Sequence, residues 1–196
     1  MAKKESTLLN MVVTLFVISV ISSASLGFMY ELTKEPRAIA EGEKLNFAIK
    51  AVLPNFDNNP AEESYEIESF DGGNRLTCYP GTQNGEFSGI AVKSWTTNGF
   101  SGLIRLMVGF DAVGNIVNIS VLEHKETPGL GTKMADAEFK DQYRSKNPET
   151  NNIAVKKDGG EIDAITAATI SSRAFSDAVE RAYKSLKKAG KFEKIQ

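Results

Sequence analysis

The chain has 196 residues, of which 41 % are hydrophobic and 24 % charged, with a formal net charge of −2. This composition is that of a globular protein and excludes collagen-like, low-complexity and disordered chains. One cysteine and one histidine exclude a disulfide framework, a cysteine-based zinc site and a cysteine-ligated iron–sulfur cluster within the chain. The near balance of charge gives no reason to expect a nucleic-acid partner. Any redox or metal chemistry must come from a bound cofactor.

Residues 8–30 form an apolar segment without a charged side chain. A helix of that length, at about 1.5 Å per residue, is about 35 Å long and crosses about 30 Å of hydrocarbon with modest tilt. We expect a retained single-pass transmembrane helix. The alternative is a signal peptide cleaved near Ser22-Ser23-Ala24, although the apolar run is long for one.

The charges that flank this segment are nearly balanced and decide little about its orientation. We expect residues 1–7 to be a cytoplasmic tail, 31–37 a linker and 38–196 an extracytoplasmic domain. Ser19, Ser23 and Gly27 share one helix face, where small residues allow another helix to approach closely. An ordinary serine-containing anchor explains the same spacing equally well.

The rest of the chain predicts an α+β fold, an antiparallel sheet with helices packed on it. A helical period from Leu45 to Leu53 ends at Pro54. Apolar alternation predicts strands at Tyr65/Ile67, Leu76/Cys78, Ile90/Val92, 103–110 and 116–122, with a hairpin loop at 111–115. A short helix at 135–143 and a short strand at Ile153/Val155 follow. An apolar face then predicts a C-terminal helix, with Phe175, Ala178, Val179, Ala182, Tyr183 and Leu186 buried.

The segment 163–172, directly before that last helix, combines small residues with clustered hydroxyls. Ala164, Ala167 and Ala168 leave the backbone accessible to a bulky ligand. The helix N-terminus offers unpaired N–H groups and favours an anion, so a phosphate near Thr169 would be well placed. Ordinary capping of the helix explains the hydroxyls of Thr166, Thr169, Ser171 and Ser172 without any ligand.

The segment 124–133 is a glycine-rich loop that follows the 116–122 strand. Pro128-Gly129 sets a turn, and Gly131 allows a second unusual backbone angle or a close ligand contact. Leu130, between two glycines, is an apolar tip that needs something to pack on. The alternative is a simple turn that leads into a helix.

Taken together, residues 126–131 (Glu-Thr-Pro-Gly-Leu-Gly) and 166–169 (Thr-Ala-Ala-Thr) resemble the covalent FMN-binding domain family. With its single N-terminal span, the whole chain is similar to the G subunits of Rnf electron transport complexes. The C subunits of the sodium-translocating NADH:quinone reductase are the nearest alternative. The resemblance implies FMN esterified through its phosphate to Thr169. The family usually has glycine where this chain has Ala167.

The resemblance also implies roles for the site residues. Thr169 is an attachment point and no residue is a catalytic base. Leu130 is expected to pack on the isoalloxazine ring and Glu126 to fix the loop, while Thr132 and backbone N–H groups donate hydrogen bonds and Lys133 supplies positive charge. Trp95 and Phe100 either cover the ring or pack in the core, and His124 makes a structural hydrogen bond or transfers protons. The expected cofactor-binding set is Thr169, Thr166, Ala167, Ala168, Ser171, Glu126, Thr127, Gly129, Leu130, Gly131, Thr132, Lys133 and Trp95.

The function implied is that of an electron-carrying flavoprotein subunit of a membrane-bound, ion-translocating ferredoxin:NAD⁺ oxidoreductase, incomplete alone. One uncharged span offers no ion path. The expected partners are integral membrane subunits, a second covalent flavoprotein subunit, iron–sulfur subunits and a flavin transferase, at the bacterial cytoplasmic membrane. The alternatives are an anchored FMN domain acting as a sensor or as a donor to an extracytoplasmic reductase, and an anchored binding module without a cofactor.

Overall fold

The computed structural model describes residues 7–191, and its first element is a long helix. This helix, α1, spans Leu8–Val52 and is 45 residues long. An 18-residue window within it has a mean hydropathy of 2.1, and none of that window is buried. Within the described range, α1 alone has the length and apolar composition needed to cross a membrane. The predicted transmembrane segment thus lies in a helix that continues well beyond it.

Residues 31–37, expected to be a linker, are helical and contain Pro36 within α1. A proline inside a helix removes one backbone hydrogen bond and costs about 3 kcal/mol. The surrounding glutamate, lysine, alanine and leucine residues are strong helix formers, which favours continuation through the proline. The chain divides into two compact units between residues 45 and 46. The predicted tail 1–7 lies outside the described residues, apart from Thr7.

The second unit contains a five-stranded antiparallel sheet in which the strand order follows the chain order. Its strands are β1 Tyr65–Ile67, β2 Leu76–Gln83, β3 Glu86–Gly99, β4 Gly102–Asp111 and β5 Ile116–Glu123. The first five of the six predicted strands and the α+β class are confirmed. In the hairpin loop between β4 and β5, the Asp111 carboxylate accepts hydrogen bonds from the N–H groups of Val113 and Asn115.

The C-terminal helix α3, Thr169–Lys188, packs on the sheet with the predicted face buried. The Ser94 hydroxyl on β3 donates to the Ala178 carbonyl at 2.7 Å. Phe139, Tyr143 and Phe175 form an aromatic cluster with ring centroids 5.1 to 5.8 Å apart. Burial of these apolar side chains stabilises the domain.

The helix predicted at 135–143 is three short pieces instead. They are a 3₁₀ turn at Gly131–Ala135, helix α2 at Ala137–Lys140 and a 3₁₀ turn at Asp141–Tyr143. Asp136 has φ −71° and ψ 145°, an extended conformation that interrupts a helix.

The strand predicted at Ile153/Val155 is reduced to one parallel bridge between Val155 and Ile162. A 3₁₀ turn, Lys156–Asp158, follows it, and Gly159 then has φ +83°. Because the chain reverses so soon after Val155, a longer ladder cannot form.

Candidate functional site

The glycine-rich loop is joined to α3 through the buried side chain of Glu126, which is 4 % exposed. Its Oε1 accepts a hydrogen bond from the Ser101 N–H at 2.9 Å, and its Oε2 accepts one from the Ser171 hydroxyl at 2.5 Å. The Glu126 N–H donates to His124 Nδ1 at 3.3 Å. Glu126 therefore fixes the loop, as predicted, and His124 makes a structural hydrogen bond.

The loop after Glu126 is closed by its own hydrogen bonds. The Thr127 carbonyl accepts from the N–H groups of Leu130 and Thr132, at 3.2 and 3.4 Å. The Thr132 hydroxyl accepts from the Gly129 N–H at 3.0 Å, and Gly129 has φ +75°. The Thr132 side chain, expected to form a hydrogen bond with a ligand, thus stabilises the turn. The positive φ of Gly129 in this turn is one that only glycine adopts easily.

Gly131 is required by packing within the protein. Its φ is not positive, but a Cβ there would lie 2.7 Å from Glu126 Cβ, Glu126 Oε2 and Ser171 Oγ. Of the two alternatives for Gly131, the unusual backbone angle is absent. The close approach that Gly131 permits is to Glu126 and Ser171.

The second segment enters α3 without a capping side chain. The N-cap is Ala168, whose side chain cannot accept a hydrogen bond, so the capping alternative is wrong. The Ser172 hydroxyl, inside the first turn, accepts from the Ile165 N–H at 2.9 Å and donates to the Ala168 carbonyl at 3.0 Å. Ala167 has φ +61°, in the left-handed region that favours glycine.

The two segments line one cleft of about 380 Å³. Its rim carries three exposed apolar side chains, Phe100, Leu130 and Ile170. The lining contains eight of the predicted residues, which are Glu126, Thr127, Leu130, Gly131, Ala167, Ala168, Thr169 and Ser171. Residues about forty positions apart in sequence are therefore brought together around a partly apolar opening.

A cation lies beside the half-buried Thr169, the first residue of α3. The Lys157 ammonium donates to Thr169 Oγ1 at 3.3 Å. The neighbouring Asp158 carboxylate accepts two hydrogen bonds from Arg173, at 2.7 and 2.6 Å. These bonds from Arg173 hold the pKa of Asp158 below its usual range. Sequence reasoning missed Lys157, since nothing in the local pattern links it to Thr169.

Five residues of the expected set lie away from this cleft. Lys133 and Thr166 line a separate hollow of about 170 Å³. The half-buried Trp95 ring has its centroid 4.6 Å from the Arg181 guanidinium carbon. Gly129 and Thr132 are both absent from the cleft lining. Of the two aromatic candidates, Phe100 alone reaches the cleft.

A larger hollow of about 720 Å³ shares Ile170 with the cleft. Its lining includes the carboxylates of Glu149, Asp177 and Glu180. These carboxylates disfavour a phosphate group there, because like charges repel. Across residues 7–191, no cluster of three or more histidine, cysteine or acidic side chains is arranged to hold a metal ion.

Comparison with known proteins places the chain in a family. Residues 99–184 match the FMN-binding domain family. The G subunit of the ion-translocating oxidoreductase complex of Aliivibrio fischeri ES114 is 34 % identical over 183 residues, covering 88 % of this chain and 86 % of the relative. The G subunit of the Na(+)-translocating ferredoxin:NAD(+) oxidoreductase complex of Acetobacterium woodii is 34 % identical, covering 84 % of each chain.

Among solved structures, the C subunit of the Na(+)-translocating NADH-quinone reductase from Parabacteroides distasonis matches with a TM-score of 0.53 at 16 % identity. The match covers 79 % of this chain and 84 % of that one, and shows a shared fold. The identity and coverage of the relatives, together with the cleft formed by the two motifs, show that this chain belongs to the family of G subunits of ion-translocating oxidoreductase complexes.

Proposed function

We propose that this chain is an electron-carrying flavoprotein subunit of a membrane-bound, ion-translocating ferredoxin:NAD⁺ oxidoreductase complex. In this proposal FMN is bound covalently, through its phosphate, to Thr169. The observation that carries it is the cleft in which Thr169 and the Glu126–Gly131 loop meet. Membership of the G-subunit family supports the role in the complex.

The residues present fit the chemistry of FMN. A flavin needs apolar surface for its planar ring, and Phe100, Leu130 and Ile170 are exposed around the cleft. Its phosphate needs positive charge and donors, which Lys157 and the N-terminal N–H groups of α3 offer beside Thr169. The cleft volume of about 380 Å³ lies within the range of about 300–1,000 Å³ usual for small-molecule sites.

The side chains of the cleft would hold the cofactor in different ways. When bound, FMN supplies transfer of one or two electrons. The Thr169 hydroxyl provides the tether, and Glu126, through Ser101 and Ser171, holds the loop against α3. The apolar side chains of the rim would exclude water from a flavin ring bound against them. A tether at the phosphate leaves the ring free of covalent substitution, so packing and hydrogen bonds tune its potential.

Attachment requires a flavin transferase and an activated flavin nucleotide. The bond between Thr169 Oγ1 and phosphorus forms as the bond between phosphorus and the leaving nucleotide breaks, and the hydroxyl proton is released. Compared with the unmodified chain, the product is heavier by one FMN less one water. The same mass change would follow esterification at Thr166, the other threonine of the motif.

The apolar helix α1 and the family support a place in the membrane. We propose that the domain lies on the extracytoplasmic face, with the Ser19/Ser23/Gly27 face of α1 against an integral membrane subunit. A single uncharged span offers no ion path, so ions cross through partner subunits. Iron–sulfur subunits and a second covalent flavoprotein subunit are the electron-transfer partners proposed.

The test is the intact mass of the chain produced in its own organism. We expect an increment of one FMN less one water, located on Thr169 by peptide mapping. Thr169→Ala should abolish both the increment and the flavin fluorescence of the denatured chain, whereas Thr166→Ala should retain them. An unmodified mass for the native chain would refute the covalent proposal, and fluorescence that persists in Thr169→Ala would move the attachment elsewhere.

A further inference from the structure

Lys157 lies beside the hydroxyl that is proposed to carry FMN. Its ammonium donates to Thr169 Oγ1 at 3.3 Å, across 12 positions of sequence. In a phosphoester on Thr169, Oγ1 would be the bridging oxygen, bonded to phosphorus, and the charged oxygens would be two bonds away. An ammonium that contacts Oγ1 is therefore close enough to pair with those oxygens.

The turn that carries Lys157 is held in place from both ends. On one side, the Lys156 N–H donates to the Ile162 carbonyl at 2.8 Å, next to the Val155–Ile162 bridge. On the other side, the Asp158 carboxylate accepts two hydrogen bonds from Arg173, at 2.7 and 2.6 Å. Arg173 follows Thr169 by four positions on α3 and therefore shares its face. Lys157 is thus held beside the hydroxyl by neighbours that anchor the turn.

The other cations near this segment have different contacts. Lys156 pairs with Asp163 at 2.7 Å, and Arg173 pairs with Asp158. Lys133, from which the family resemblance implied positive charge, lines the separate hollow of about 170 Å³. Within the described residues, Lys157 is the cation with a hydrogen bond to Thr169.

We propose that Lys157 is the phosphate-binding residue of the FMN site. This inference rests on the proposed attachment of FMN to Thr169. The Lys157 ammonium stabilises the negative charge of the phosphate as the nucleotide approaches Thr169, and it neutralises the phosphoester afterwards. Charge-assisted hydrogen bonds to phosphate are stronger than neutral ones, and the N-terminal N–H groups of α3 add to the same attraction.

The test measures how fast FMN is attached to the chain, which we call loading. The full chain, produced without flavin transferase and kept in detergent, is incubated with purified transferase and its flavin dinucleotide donor. Intact mass then gives the loaded fraction against time. The Thr169 Oγ1–phosphorus bond forms, the nucleoside monophosphate leaves, and the hydroxyl proton passes to the buffer. The chains compared are wild type, Lys157→Gln, Lys157→Arg and the matched surface control Lys93→Gln.

We expect Lys157→Gln to lower the initial rate about tenfold, because a charged hydrogen bond to phosphate is replaced by a neutral one. Lys157→Arg should retain most of the rate, and Lys93→Gln all of it. Added salt should slow wild type more than Lys157→Gln, since screening weakens only a charge contact. Equal melting temperatures of the unloaded chains would show that the turn is intact.

The outcomes separate this inference from the proposed function. Equal loading rates for wild type and Lys157→Gln, or equal salt dependence, would overturn the role of Lys157 and leave Thr169 as the attachment point. If Lys157→Gln unfolds more easily than wild type, the test rests on Lys157→Arg. A rate of FMN attachment to Lys157→Arg that is as slow as for Lys157→Gln overturns the inference. If neither wild type nor Lys93→Gln is loaded, the covalent attachment itself is wrong.

Discussion

The Ser171 hydroxyl donates a 2.5 Å hydrogen bond to the buried carboxylate of Glu126, 45 positions earlier in the chain. This bond joins the first turn of α3 to the glycine-rich loop, which together line the cleft. The other oxygen of the same carboxylate accepts from the Ser101 N–H. One side chain thus connects three segments of the domain, and the shape of the cleft depends on it.

Glu126→Ala should destabilise the domain, because Ser171 and the Ser101 N–H lose a buried acceptor. We expect a loss of about 3 kcal/mol in the free energy of unfolding, from two orphaned groups and a small cavity. Trp95 is the only tryptophan of the chain, so its fluorescence in denaturant titrations reports this domain. Glu86→Ala, at an exposed strand end, is the control and should change the free energy by less than about 0.5 kcal/mol. Equal losses in both variants would contradict the role of Glu126.

Gly131→Ala should lower the stability of the domain through a steric clash. Its Cβ would lie 2.7 Å from atoms of Glu126 and Ser171, and overpacking of this kind costs about 1–3 kcal/mol. Adding Ser171→Ala removes one of the colliding atoms. We therefore expect the double variant, measured by the same denaturant titration, to lose less than the sum of the two single losses. Additive losses would show that the clash is relieved by movement of atoms other than Ser171 Oγ.

Ala167→Gly should stabilise the domain. Ala167 has φ +61°, and relief of a left-handed alanine outweighs the added entropy of the unfolded glycine by about 0.5 kcal/mol. Ala168→Gly is the matched control, since Ala168 has φ −133° and gains no such relief. The two variants should shift the melting temperature in opposite directions. A decrease for Ala167→Gly would show that the Ala167 methyl group makes contacts that outweigh the backbone strain.

The Asp71 carboxylate should make the stability of the domain depend on pH. Hydrogen bonds from Ser69, then from Arg181, then from the Gly73 N–H lower the pKa of Asp71 well below its usual range. A carboxyl whose pKa is lower in the folded state stabilises the fold above its unfolded pKa, and this stabilisation is lost as the pH falls. The contribution should therefore be complete at pH 7 and decline below about pH 4.

The measurement compares wild type with Asp71→Asn in thermal melts at pH 7 and pH 3. The difference in melting temperature should be larger at pH 7 and shrink at pH 3, where the Asp71 carboxyl of the unfolded chain binds a proton and that of the folded chain stays ionised. Because the Asp71 side chain is 38 % exposed, added salt should reduce the difference at pH 7. A difference that is the same at both pH values would show that the interaction is not one of charge.

Much of the fold was predictable because the signals are local. Alternating apolar residues predicted all five strands, and the apolar face from Phe175 to Leu186 predicted α3, since each pattern follows the period of its own backbone. The helix expected at 135–143 is interrupted at Asp136, whose extended conformation has no signal in apolar periodicity. The continuous helix through Pro36 was missed because proline usually ends a helix.

The position of the candidate site was predicted in part, since eight of the thirteen expected residues line the cleft. The family resemblance implied positive charge from Lys133, which lines a separate hollow, and the structure brings Lys157 to Thr169. The Trp95 ring, expected either to cover the flavin ring or to pack in the core, has its centroid 4.6 Å from the Arg181 guanidinium carbon. In each case the residue type was reasonable, and the partner depended on contacts between distant segments.

The sequence by itself determined the apolar span, the strand and helix types and the two motifs, because each is a property of neighbouring residues. The resemblance of those motifs to a known family implied the threonine proposed to carry FMN. Only the tertiary structure decided which side chains meet in the cleft, which cation lies beside Thr169, and why Gly131 has no side chain. Those relationships depend on how α3 packs on the sheet and on the buried Glu126 carboxylate. Packing joins positions that no local pattern connects.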